Sequence, residues 1–327
     1  MKKRLLSLLL AVMMLVSAMP FAFGTVSAEE ASVEEPALTY ADLYVQDGLT
    51  MLFDCGSSSV KDVWRRRVEP ALKFYGISHI DLLFLSHADG DHISGAQELL
   101  SGMHGMLPGA ACFRRMPPEG ISSAQTGDLT LVQRFSAAQA GGIRIGRILL
   151  PQTDVTSDGP GMAEVIAAAR RFNIPISTVS EGAEFQHGQL HLRVLSPSPG
   201  RMTGSDNEDC IVLSLSWKNI RILFTGDLEK EGEEKFTRAY QDAALFSPPR
   251  GHSETNSRTI LLAGHHGSRN ATSEGFLSLV RPDLVLISCG RNNRYGHPAS
   301  AMLKRLEDRG LPCFRTDQSG AFCLTAD

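Results

Sequence analysis

An α/β fold is predicted by three features of the 327-residue chain. Short apolar runs alternate with longer amphipathic stretches, several apolar runs end in His and Asp clusters, and no low-complexity break interrupts this from about residue 42 onwards. Strands are expected at 50–53, 82–85, 148–150, 190–195, 210–217, 221–224, 259–263 and 284–288. Helices are expected at 60–75, 95–101, 161–172, 228–240, 273–279 and 299–309.

In chain order, the run 50–53 ends at Asp54, and the helix after it places Trp64 on an apolar face, where packing is the ordinary role of a Trp. The run 82–85 leads into Ser86-His87-Ala88-Asp89-Gly90-Asp91-His92. The segment 102–142, rich in Gly, Pro, Ser and Ala, is expected to be an irregular insertion bordering a site. Trp217 falls on the apolar face of the strand 210–217. The run 221–224 leads to Gly226-Asp227, and 259–263 leads to Gly264-His265-His266-Gly267-Ser268. The run 284–288 continues through Arg291-Asn292-Asn293-Arg294-Tyr295-Gly296 to His297. Ligand sites in α/β sheets gather at the carboxyl ends of strands, so five polar clusters at such ends point to one shared crevice.

The first 28 residues stand apart. Lys2, Lys3 and Arg4 precede an almost wholly apolar stretch, and Val26-Ser27-Ala28 fits a cleavage site. A secretory signal peptide over 1–28 is expected, hence a secreted or cell-envelope protein with no stable membrane span after cleavage. The competing reading is an uncleaved anchor, because 5–23 nearly reaches the roughly 20 apolar residues of a membrane helix. Residues 29–41, acidic and carrying Pro36, are expected to be a linker to a single domain over 42–327. No run of membrane helices follows, so a DNA channel is not expected within this chain.

Removing the signal peptide takes the formal charge from −4 to about −7, which argues against a globally basic nucleic-acid binder. Contact with phosphate must then come from a local patch or from bound cations; Arg65-Arg66-Arg67 is such a patch, although a solvated helix face explains it equally simply. The six cysteines include no Cys-x-x-Cys pair, which argues against a zinc ribbon. Cys313 and Cys323 flank a turn containing Ser319-Gly320, so they are the one pair a hairpin would place to form a disulfide, and buried free thiols are expected for most of the others. His79, His104, His187, His191 and His252 show no ligand spacing.

The cluster His87-x-Asp89-x-Asp91-His92 packs two imidazoles and two carboxylates into six residues, more than one ion needs. Two cations with a bridging carboxylate such as Asp227 would use them all. Imidazole suits Zn²⁺ or Mn²⁺, and each added carboxylate favours the harder ion. A lone Asp would read as a helix cap or a solvated surface group; the cluster does not.

Together with the preceding Phe-Asp-Cys-Gly, the later Thr-Gly-Asp and Gly-His-His-Gly-Ser, and the tail Arg-Asn-Asn-Arg-Tyr-Gly-His-Pro, this motif resembles the metallo-β-lactamase superfamily. More narrowly, it resembles the hydrolase domain of the ComEC competence proteins. The likeness runs from about Gly48 to the C-terminus. It implies a four-layer αβ/βα sandwich with the site along one edge between two sheets. It also implies metal binding by His87, Asp91, His92, Asp227 and His265, with Asp89 in the place of the superfamily's second His, a substitution shared by the ComEC-like branch. The middle His of the superfamily is missing, and Asn207, a poor ligand, stands about there. Asp54 and His266 are expected to support the ligands, and Ser268 or His297 to hold a substrate phosphate. ComEC-type domains open with a strand carrying Asp-Val-Gly-Gln-Gly, whereas here only Asp42-Leu43-Tyr44-Val45-Gln46 stands, so the first hairpin is expected to be shortened or diverged.

The expected function is hydrolysis of a phosphodiester, in nucleic acid such as DNA or another exported phosphate ester, by a two-metal (Zn²⁺ or Mn²⁺) centre. Asp91 would orient the nucleophile, and His265 or His297 would donate to the leaving group. The alternatives are another ester or amide, including a phosphocholine ester or a β-lactam, or a secreted binding protein with a degraded metal site.

Overall fold

The computed structural model describes residues 40–46, 48–103, 142–153, 159–199, 203–241, 257–291 and 293–322. The expected signal peptide, most of the linker, nearly all of the 102–142 insertion, His104, His252 and Cys323 lie outside them. Among the described residues no helix is long and apolar enough to cross a membrane.

Twelve strands form two sheets. The first has the order β1 (Tyr40–Gln46), β2 (Leu49–Gly56), β3 (His79–Phe84), β4 (Arg144–Pro151), β5 (Ile176–Val179). The second runs β12 (Cys313–Arg315), β11 (Leu284–Ile287), β10 (Arg258–Leu262), β9 (Ile220–Phe224), β8 (Val212–Trp217), β7 (Leu190–Ser196), β6 (Glu184–His187). Along each strand the side chains alternate between two faces, and the buried residues sort accordingly. Met51, Phe53, Leu82, Phe84 and Leu149 of the first sheet meet Leu213, Leu215, Ile222, Phe224 and Ile260 of the second in one core. Phe53 and Phe224 stack across it with ring centroids 5.0 Å apart.

The opposite faces carry helices. Leu52, Leu83, Ile148 and Leu150 pack under Leu72 of α1 (Glu69–Phe74), Ile93, Ala96 and Leu100 of α2 (Gly90–Gly102) and Val165 of α3 (Pro160–Arg171). Leu223, Leu261, Val285 and Ile287 pack under Phe236 of α4 (Lys230–Tyr240), Phe276 and Leu277 of α5 (Glu274–Val280) and Met302 and Leu306 of α6 (Ser300–Asp308). Helix, sheet, sheet, helix: these are the four layers expected from the resemblance. Strands covered on both faces read as continuous apolar runs, and every residue of β2 is buried.

One close approach brings the metal-ligand loop onto β2. A Cβ at Gly95 would lie 1.9 Å from the Cys55 carbonyl oxygen, so α2 reaches the strand only because that residue is glycine.

Several expectations need correction. The first hairpin starts earlier than expected: β1 pairs antiparallel with β2 from Tyr40 opposite Gly56 to Gln46 opposite Leu49, with a register shift between Tyr40 and Asp42, and it begins within the stretch expected to be linker. The helix expected at 60–75 opens with a π-helical turn, Trp64–Val68, before α1; there Glu98 accepts hydrogen bonds from the Val63 and Trp64 amides. The hairpin expected around Ser319-Gly320 is instead β12, parallel to β11, followed by the helical turn α7 (Thr316–Ser319). Cys313 is a free thiol there, as are the buried Cys55, Cys210 and Cys289. Arg65 and Arg66 are exposed.

Candidate metal centre

The carboxyl ends of β2, β3, β9 and β10 converge, as the clustering of polar residues after strands predicts. β2 ends in Asp54, buried and with φ +55°. Its carboxylate accepts hydrogen bonds from the Ser86 amide (2.7 Å), the Ser86 hydroxyl (2.7 Å) and His92 Nδ1 (2.7 Å). Ser86 Oγ lies 2.9 Å from His87 Nδ1. Both imidazoles are thus held through Nδ1, which leaves each Nε2 facing the centre of the convergence. Asp91 enters in the first turn of α2, one residue before His92.

From the other sheet, β9 delivers Asp227 through Gly226. Gly226 has φ +50°, and a Cβ there would sit a tight 3.1 Å from both Ser86 Cβ and Cys210 Sγ, so glycine suits this strained, close approach of the two sheets' loops. β10 delivers His265 and His266 on a 3₁₀ turn, Gly264–Gly267, in which both histidines are left-handed, with φ 44° and 56°. Two consecutive non-glycine residues in that region store backbone strain of about 1–3 kcal/mol each, which persists only where the surroundings over-determine it.

The two oxygens of Asp227 face different partners. Oδ1 lies 3.0 Å from His92 Nε2 and 3.5 Å from His266 Nε2; Oδ2 lies 3.6 Å from His87 Nε2 and 3.5 Å from His265 Nε2. His92 Nε2 and His266 Nε2 are 3.2 Å apart, Asp91 Oδ2 is 3.9 Å from His266 Nε2, and Asp89 Oδ2 is 3.5 Å from His87 Nε2. Four ligands at about 2.05 Å around a tetrahedral ion stand about 3.3 Å from one another, so these spacings are those of ligand atoms around cations. His87 Nε2 and Asp227 Oδ1 are buried without a hydrogen bond, an arrangement that costs free energy unless something occupies the space between them. Two ligand groups result: His87, His92 and Asp227, and Asp91, His92 and His266.

The electrostatics agree with a site built for cations. Burial alone would raise the pKa of Asp227, but His92, His266 and His87 hold it well below the usual carboxylate range. Burial opposes charge on His92, yet Asp227 and Asp54 keep its pKa well above the ordinary imidazole value. Burial, with His92 and His265, pushes His266 well below that value. The neighbouring His87 ring lowers the pKa of Asp89.

The remaining expected residues take these places in the structure. His266, expected to support, is the imidazole grouped with Asp91 and His92, whereas His265, expected as a ligand, divides its ring between Asp227 and Glu229. Its Nδ1 lies 3.1 Å from Glu229 Oε2 and 3.5 Å from Asn207 Nδ2. Burial works against charge on His265, but the Glu229 hydrogen bond and the Asp227 charge raise its pKa. Ser268 is buried and gives its hydroxyl to Glu229 at 3.0 Å, so it props the His turn. Glu229 itself was missed from sequence; its signal is a second carboxylate two residues after Asp227. His297 is half-buried with its ring centroid 5.7 Å from that of His265, and burial followed by His265 lowers its pKa. His79, His187 and His191 belong to neither ligand group. A cleft between the sheets, lined by Phe53, Asp54, His92, Phe224 and His266, lies against the centre.

Comparison with known proteins places this geometry. A family model described as the metallo-beta-lactamase superfamily matches residues 38–102. ComE operon protein 3 of Bacillus subtilis is 29% identical over 251 residues, 77% of this chain and 25% of that protein. Recombination protein 2 of Haemophilus influenzae is 29% identical over 273 residues, 81% of this chain and 25% of that protein. The chain thus spans about a quarter of the length of these curated relatives. Among solved structures, CmlA, a diiron β-hydroxylase from Streptomyces venezuelae, superposes with a TM-score of 0.52 at 14% identity, covering 91% of this chain and 55% of that one, which is a likeness of fold.

Proposed function

Starting from a chain that is a ComEC-like member of the metallo-β-lactamase superfamily, we propose that it is an exported metal-dependent phosphodiesterase acting on nucleic acid. The observation that carries this reading is Asp227, whose two oxygens each face a separate pair of imidazoles. A carboxylate in that position suits two neighbouring cations. His92, His266 and Asp91 would hold the inner ion; His87, Asp89 and His265 would hold the outer one; Asp227 would bridge. When bound, two such ions supply Lewis acidity that activates water and neutralises charge on a phosphoryl group.

The chain's own residues do the positioning. Asp54 and Ser86 lock His92 and His87 by their Nδ1 atoms, so that each Nε2 keeps its direction. Glu229, braced by Ser268, orients His265. Asp91 orients the nucleophile from the start of α2. His297, kept uncharged by burial beside His265, hydrogen-bonds a phosphoryl or leaving-group oxygen at the mouth. The basic start and cleavage pattern of residues 1–28 support export, and the competence and recombination names of the relatives support a nucleic-acid substrate.

The test is hydrolysis of bis(p-nitrophenyl) phosphate and of single-stranded DNA by purified protein supplied with Mn²⁺ or Zn²⁺. Turnover that vanishes in Asp91→Ala is expected; no turnover with any divalent ion overturns the proposal.

A further inference from the structure

Among the described residues two large hydrophobic side chains stand out in solvent, Phe74 at 81% exposure and Tyr295 at 52%. Phe74 sits at the end of α1, in the outer helical layer on the first sheet's side. Tyr295 sits beside the metal centre: its ring lies 5.9 Å from that of His297 at an interplanar angle of 17°, and His297 is in turn 5.7 Å from His265. The Tyr295 ring thus stacks on His297, the neighbour of His265, while staying half in water.

The segment bearing it is held in shape. Asn293 accepts a hydrogen bond from the His297 amide at 2.9 Å and donates to the carbonyls of Gly290 (2.9 Å) and His297. Farther along, the Ala299 amide donates to the Gly267 carbonyl at 2.8 Å, which ties this segment to the histidine turn. The exposed Arg294 guanidinium lies 4.8 Å from the Tyr295 ring centroid and donates to its hydroxyl at 2.6 Å. A guanidinium is planar, delocalised and cationic, and it stacks on aromatic faces as a nucleobase does.

We propose that Tyr295, flanked by Arg294, is a stacking subsite for an unpaired nucleobase next to the phosphodiester held at the metal centre. The base takes the ring face over which Arg294 lies, and the released guanidinium turns to a backbone phosphate, which it matches in charge and shape. The charge also decides against a phosphocholine ester, since a quaternary ammonium would have to seat beside Arg294. Base stacking on aromatic rings is sequence-tolerant, so the subsite selects single-stranded nucleic acid over other phosphodiesters without reading a particular base. The inference rests on the phosphodiesterase reading and deepens it.

The test compares two phosphorothioate-linked, fluorescently labelled single-stranded DNA ligands of equal length and charge, one bearing thymine at every position and the other abasic. Dissociation constants are measured for metal-loaded wild type, Tyr295→Phe and Tyr295→Ala, with bis(p-nitrophenyl) phosphate hydrolysis followed in parallel. Wild type and Tyr295→Phe are expected to prefer the base-bearing strand by about tenfold or more, and Tyr295→Ala to bring the ratio close to one. A ratio near one in wild type, an unchanged ratio in Tyr295→Ala, or binding of neither strand overturns the subsite. Discrimination without hydrolysis of the small diester keeps the subsite and sinks the phosphodiesterase reading; hydrolysis without discrimination does the reverse.

Discussion

The two sides of Asp227 are built differently. On the Oδ1 side, His92 and His266 are both nearly sealed from solvent, and Asp91 completes a compact group. On the Oδ2 side, His87 is buried, but the Asp89 side chain is 51% exposed and that of His265 28% exposed, and Asn207, in the sequence place of the superfamily's missing middle His, has its Nδ2 3.5 Å from His265 Nδ1. The inner group is shielded, so charge interactions within it act in low dielectric; the outer group is wetter. On the two-ion proposal, the difference gives two ions of unequal grip, the tighter fixing the geometry and the looser facing substrate.

The largest effect is expected from removing the shared element. Asp227→Asn should release both ions and lower kcat/KM by at least about a thousandfold, on the order of 4 kcal/mol of transition-state stabilisation, as metal content by elemental analysis and diester hydrolysis will show. Next, His266→Ala and His265→Ala should separate the sides. The first should lose the ion that survives dialysis against weak chelator, and the second only the one that does not. Glu229→Gln should weaken the outer ion by about 10–100-fold while leaving the inner ion's affinity within a few-fold, measured by chelator competition. The smallest effect, and the most informative in sign, is a gain. Asn207→His should tighten the outer ion by roughly tenfold, because an imidazole replaces an amide.

The same contrast shows what could be read from the residues alone. The ligand loop from His87 to His92 and Asp227 were legible because each follows a central strand buried on both faces, whose apolar run marks the strand's end. The strands missed outright were β5 and β6, and those misjudged were β1 and β12; all four are sheet edges. An edge strand packs on fewer neighbours and carries polar residues, as Glu184 and Gln186 do in β6, so the apolar signal fades. β1 left one trace, the Asp47-Gly48 pair before Leu49, a dipeptide favoured in two-residue hairpins. Which of His265 and His266 joins Asp91 could not be read, because the short left-handed turn that aims them follows neither the helical nor the strand period. The role of Glu229 depends on that same turn, which brings His265 and Ser268 to its carboxylate.

The most direct measurement is a titration of metal-free protein with Mn²⁺ or Zn²⁺, following bound ions per chain. The account predicts two ions per chain bound in two separated steps, with Asn207→His drawing the weaker step towards the stronger. A single ion per chain, or two equal steps indifferent to Asn207→His, would contradict it.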